Sequence, residues 1–111
     1  MINKAKIINM IIKSLPTNSV KQIFVFGSYA TRTNDEYSDV DLLVVSNCFE
    51  AINGYLRRKL FSSMIDGFQT KLDIVCLTEA EFEAFKRSDA YKKEYIELIY
   101  TGVISEKRAN I

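Results

Sequence analysis

Asp39 and Asp41 open a run that is otherwise wholly apolar: Ser38-Asp39-Val40-Asp41-Leu42-Leu43-Val44-Val45. Strand side chains alternate between faces, so the two carboxylates point the same way, with Cβ atoms about 7 Å apart. Carboxylates at that spacing can converge on one cation or share a pair of ions about 3.5–4 Å apart. Without a cation they repel each other and cost desolvation. Mg2+, which takes oxygen ligands, relieves both penalties. Asp73 repeats the anomaly in Lys71-Leu72-Asp73-Ile74-Val75-Cys76-Leu77, another apolar run with an acid near its start. If the two runs are neighbouring strands, three carboxylates meet at one end of a sheet. The plainer readings are a turn cap for Asp39, a solvated face for Asp41 and a surface ion pair with Lys71 for Asp73.

Gly27-Ser28 has the opposite charge preference. It closes the apolar run Ile23-Phe24-Val25-Phe26 and stands just ahead of the acidic run. Glycine admits close approach of a ligand to the backbone. Free N–H groups at a helix start, with the Ser28 hydroxyl beside them, favour phosphate oxygens. A Gly-Ser pair alone is an ordinary turn; its position between the two runs gives it weight. Phosphate donors facing metal-binding acids are what nucleotidyl transfer requires.

Composition narrows the alternatives. The chain has 111 residues and no histidine, which removes Ser–His–Asp and Cys–His catalysis and His-liganded metals. Fifteen basic and 14 acidic residues leave a net charge of +1, with no broad basic field for nucleic acid, so no direct nucleic-acid partner is expected. Cys48 and Cys76 read as buried free thiols, which suits a reducing cytoplasm. No signal peptide or membrane-spanning run is seen. One domain, 1–111, is expected.

Elements that would position these residues follow from periodicity. Ile7, Ile8, Ile11, Ile12 and Leu15 mark an amphipathic helix over 2–14, ended by Pro16. Strands are expected over Val20–Phe26, Val40–Val45 and Leu72–Leu77, with a short helix over Tyr29–Arg32 and a polar loop over Thr33–Ser38. Phe49, Ile52, Leu56, Leu60 and Met64 suggest one helix stopped by Gly67. Thr78 and Glu81 match a capping box opening a helix with Phe82 and Phe85. A last helix is expected from about Ser88 to Thr101, with Tyr91, Tyr95, Leu98 and Ile99 inward. Arg57-Arg58-Lys59 could contact a nucleotide tail or an acidic partner, but reads as a solvated helix face. The result is an α/β layered domain with few strands.

Taken together, FGSYA, SDVDLLVV and LDIV resemble the Gly-Ser…Asp-x-Asp signature and third acid of the polymerase β-like nucleotidyltransferases. Within that superfamily the chain is similar to the minimal nucleotidyltransferases (MNT), the stand-alone domains paired with HEPN-domain toxins, and Glu94–Gly102 resembles the family's last helix and following glycine. The resemblance implies a small mixed sheet of three or more strands flanked by helices. It also implies Gly27 and Ser28 on the triphosphate, Asp39 and Asp41 on the metal, and Asp73 completing the metal site and activating the attacking hydroxyl. Two Mg2+ ions and ATP as co-substrate follow, with AMP passing to a tyrosine of a HEPN-type partner. Arg32 stands where family members commonly carry glycine; its guanidinium suits a phosphate contact.

Other functions compete. A contact-only antitoxin needs no three converging acids. A transferase acting on a small molecule such as an aminoglycoside would use the same site, but no acceptor-binding segment is evident. A phospho-receiver domain expects five βα units. A haloacid dehalogenase-type phosphatase needs Thr or a similar residue where Leu43 stands. A homo- or hetero-oligomer is compatible with the sequence.

Overall fold

The computed structural model describes residues 3–27, 30, 39–68, 70–89, 91 and 96–102. Ser28, Tyr29, Arg32, Tyr95 and the expected loop over Thr33–Ser38 lie outside them. Four strands form one mixed sheet in the order β3-β2-β1-β4, with β1 at Val20–Phe26, β2 at Val40–Ser46, β3 at Leu72–Leu77 and β4 at Ile96–Thr101. β1 runs antiparallel to β2 and β4, and β2 runs parallel to β3.

One face of the sheet carries Ile23, Val25, Val40, Leu42, Val44, Leu72, Ile74 and Cys76. Helix α1 (Lys4–Ser14) covers it through Ile7 and Ile11, four residues apart and both fully buried. The Asn3 side chain accepts the Lys6 N–H at 3.1 Å and starts this helix. The other face carries Phe24, Leu43 and Val45 and is covered by helix α4 (Glu79–Lys86) through Phe82. The Phe24 and Phe82 rings lie 5.1 Å apart, a packing worth about 1 kcal/mol beyond area burial. The capping box is present: Thr78 Oγ1 accepts the Glu81 N–H, and Glu81 accepts the Thr78 N–H.

Three expectations are corrected. The last helix is absent over its second half, where Ile96–Thr101 is strand β4, paired with β1. β1 has apolar residues on both faces and needs a partner along each edge; Ile96, Ile99, Tyr100 and Thr101 supply β-favouring side chains. Leu98, expected inward, is 47% exposed. Gly102 ends the strand by giving its N–H to Lys21 O at 2.7 Å, and a Cβ there would collide with Val20 O. The long helix from Phe49 is instead a 3-10 turn (Asn47–Phe49), helix α2 (Gly54–Lys59) and helix α3 (Ser62–Gly67). Asn53 causes the break by capping α2, its side chain accepting the Leu56 N–H at 3.0 Å. Leu56 and Leu60 therefore do not share the buried face of Phe49 and Met64.

Arg57 is the third correction. It is only 8% exposed, whereas Arg58 and Lys59 are solvated as expected. Its guanidinium donates to Ile52 O, to Cys76 O and, in a fork, to both Glu81 carboxylate oxygens at 2.5 and 3.1 Å. The Glu81 pair holds the guanidinium pKa above its ordinary value. The same fork, with the Thr78 N–H, holds the Glu81 carboxyl below its usual range. One ion pair thus ties α2, the end of β3 and the start of α4 together.

Candidate active site

Gly27 ends β1 at φ +74°, in the left-handed region that glycine enters without strain. The Ala30 N–H returns to Gly27 O at 3.1 Å, so the chain turns sharply after β1. Phe26 is the register partner of Asp41 on β2, which brings Gly27 against that side chain. A Cβ at position 27 would lie 2.5 Å from Asp41 Oδ2. The bare α-carbon is what lets the carboxylate sit there.

Asp41 in turn pairs in register with Asp73 on the parallel strand β3. Register partners on adjacent strands share a face, about 4.8 Å apart at the backbone. Both acids lie on the face of Leu43 and Val45, at its end away from α4. Asp39 precedes β2 by one residue and is exposed, as is Asp73. Lys71 Nζ is 3.9 Å from Asp39 Oδ2, with the lysine side chain 76% exposed. The lysine is thus placed with Asp39, not with Asp73 as the plainer reading had it. Such an exposed pair contributes about 0–1 kcal/mol.

The donor chemistry fits a hard divalent cation: paired carboxylates at one end of a sheet, with no imidazole or thiol beside them among the described residues. Among the described residues, no three acidic or thiol groups are gathered closely enough to form a ready-made cage. Asp39, one residue ahead of β2, stands beside Lys71. Gly27, Asp39, Asp41 and Asp73 are the sequence-selected residues that the structure describes; Ser28 and Arg32 fall outside it.

Two other features stand apart. A pocket of about 330 Å3, lined by Lys21, Gln22, Val45, Glu79, Phe82 and Thr101, lies on the same sheet face. It is at the other end of β2, about 13 Å from Asp41 at 3.3 Å per residue. Cys76 is buried and its thiol is pushed up to about 12 by that burial, so it offers no nucleophile. Sequence reasoning missed Arg57, whose setting emerges only once β3 and α4 meet.

The sequence matches the nucleotidyltransferase domain family over residues 6–101, and the chain belongs to that family. A protein from Sulfolobus solfataricus assigned to the nucleotidyltransferases is similar in structure, with TM-score 0.62 and 22% identity over 86% of this chain and 75% of its own. A toxin–antitoxin complex with AMP-PNP contains a similar chain, with TM-score 0.53 and 24% identity over 68% of this chain and 57% of that one. The Shewanella oneidensis complex of a tri-AMPylated HEPN toxin with an MNT antitoxin gives TM-score 0.53 and 17% identity over 96% and 75%. At these identities the structural likenesses speak for the fold. No curated protein matches the sequence.

Proposed function

We propose that this chain moves AMP from ATP to a protein hydroxyl, a tyrosine of a HEPN-type toxin, and so acts as that toxin's antitoxin in the cytoplasm. The observation that carries the reading is the register pairing of Asp41 with Asp73, with Gly27 closed against Asp41. The toxin as acceptor is supported by the names of the structural relatives, which include a HEPN toxin bearing AMP.

In this reading Gly27 and Ser28 hold the triphosphate through backbone N–H groups and the serine hydroxyl, with Arg32 near a phosphate. Asp39, Asp41 and Asp73 hold Mg2+, two ions in the full site. Bound there, the metal neutralises charge on the α-phosphate and on the departing pyrophosphate. Asp73, exposed on the edge strand, takes the proton of the incoming hydroxyl. The hydroxyl oxygen bonds to the α-phosphorus as the bond to the oxygen bridging towards the β-phosphate breaks, and pyrophosphate leaves.

The test is to incubate the chain with labelled ATP, Mg2+ and the HEPN-type protein encoded beside it. Wild type labels the partner. Asp39→Asn with Asp41→Asn transfers nothing while still unfolding in one cooperative thermal transition. Neutralisation of the toxin by the double variant as well as by wild type, with label moved by neither, would establish a contact-only antitoxin instead.

A further inference from the structure

Helix α2 is packed the wrong way round for a helix that only covers a sheet. Its buried side chain is a charged one, Arg57, while Tyr55 is 72% exposed and Leu56 47%. Leu60, at the α2 C-cap, is 38% exposed. These are three of the five large apolar residues exposed among the described residues, gathered within six positions. Burying such side chains elsewhere is worth about 1.5–3 kcal/mol each, so a helix with Arg57 turned inward and its apolar residues outward leaves burial to something else.

Basic side chains predominate around this apolar surface. Arg58 and Lys59 lie on the same helix and are exposed. Neither has an acidic partner among the described residues; Lys59 Nζ stands 5.5 Å over the Tyr55 ring instead. Tyr55, Arg58, Lys59, Ser62, Ile65 and Asp66 line a groove of about 250 Å3 between α2 and α3, with Asp66 the one acid on its rim. A second copy would bring one acid, Asp66, against two basic side chains, Arg58 and Lys59, so the charges would not balance across the face. An acidic, amphipathic helix satisfies both features, with apolar side chains in the groove and carboxylates over the arginine and lysine.

We infer that α2 and α3 form the docking surface for the protein acceptor, through an amphipathic helix of that partner carrying acidic residues on its flank. The inference rests on the proposed transfer to a protein. α2 is fastened to β3, the strand of Asp73, by the Arg57 bond to Cys76 O at 3.0 Å. A partner held on α2 is therefore tethered to the edge strand that carries Asp73, about 10 Å along it from that acid at 3.3 Å per residue.

The test measures binding of the full chain to the HEPN-type protein encoded beside it, by calorimetry, alongside MgATP affinity, melting temperature and oligomeric state. Tyr55→Ser with Leu56→Ser raises Kd for that protein by about 30-fold, as loss of a central anchor does. Arg58→Glu raises it by about 10-fold, mainly through slower association, and flattens its dependence on salt. MgATP affinity and melting temperature stay at wild-type values, since the changed side chains are exposed. Wild-type Kd in these variants, with the partner still labelled, overturns the docking surface and leaves the transferase reading standing. Variants that turn a wild-type dimer into monomers without weakening the partner assign the face to a second copy and also overturn it. No binding of the partner by wild type overturns it outright. Binding through this face without transfer of label upholds the surface and refutes the enzyme.

Discussion

At the scale of single residues, the decisive contact is between an α-carbon and a carboxylate. Gly27 combines a left-handed φ of +74° with a position where a Cβ would come within 2.5 Å of Asp41 Oδ2. Gly27→Ala therefore carries two penalties: about 1–2 kcal/mol for the backbone and displacement of Asp41. They separate in a double-mutant cycle with Asp41→Ala. Chemical denaturation should show that Gly27→Ala costs less stability in the Asp41→Ala background than in wild type. An equal cost in both would mean that the backbone alone is responsible. The acids were legible in the sequence because a charge inside an aliphatic run is costly without a purpose, and Asp41 and Asp73 repeat that pattern. Their pairing was not legible, because register depends on where β3 lands against β2. The plainer alternative for Asp73 paired it with Lys71 by closeness in sequence, whereas in the sheet Lys71 stands by Asp39.

At the scale of elements, the strands with both faces apolar announced themselves, and so did the capping box at Thr78 and Glu81. The two failures have physical causes. Asn53-Gly54 is a turn signal that the spacing of Leu56, Leu60 and Met64 disguised as a continuous helix. β4 was masked by aromatic residues at helical spacing, and its identity is set by the vacancy that β1 would otherwise have along one edge. The Arg57–Glu81 pair makes these elements interdependent. Glu81→Gln should cost about 1 kcal/mol, less than for a fully buried pair because the Glu81 side chain is 44% exposed and water screens it. It also predicts a pH signature. The carboxyl is held below its ordinary range in the fold, so its contribution is complete above the unfolded value of about 4.3. It is then lost as pH falls through the lowered folded value. Urea unfolding from pH 7 downward should show wild type losing stability below about pH 4.3 faster than Glu81→Gln. Parallel curves would remove the pair from the account.

At the scale of the whole molecule, the two sheet faces are unequally covered. Against one lie α1 and the residues around Phe49, Phe61 and Met64; against the other, α4 packs on Phe24, Leu43 and Val45. Asp41 and Asp73 occupy the end of that second face away from α4, in register on neighbouring strands, where a divalent cation would take both as oxygen ligands. Stability and ligation are then linked, and the link is measurable without a partner protein. A ligand at 100 times its Kd adds about 2.7 kcal/mol to the folded state. For a domain near this size each kilocalorie raises the melting temperature by about 4–8 °C, so saturating ATP with Mg2+ should raise it by roughly 10–20 °C. ATP with EDTA should give almost none of that shift, because phosphate oxygens then face unneutralised carboxylates. Asp41→Asn should lose most of it, with the unliganded melting temperature measured alongside so that any cost to the fold is read separately. Scanning calorimetry of the four combinations, wild type and variant each with Mg2+ and with EDTA, decides the matter. An equal rise with and without metal would mean that the acids do not hold a cation for the nucleotide. A variant whose melting temperature rises with ATP and Mg2+ as far as that of wild type would mean that Asp41 does not serve the site.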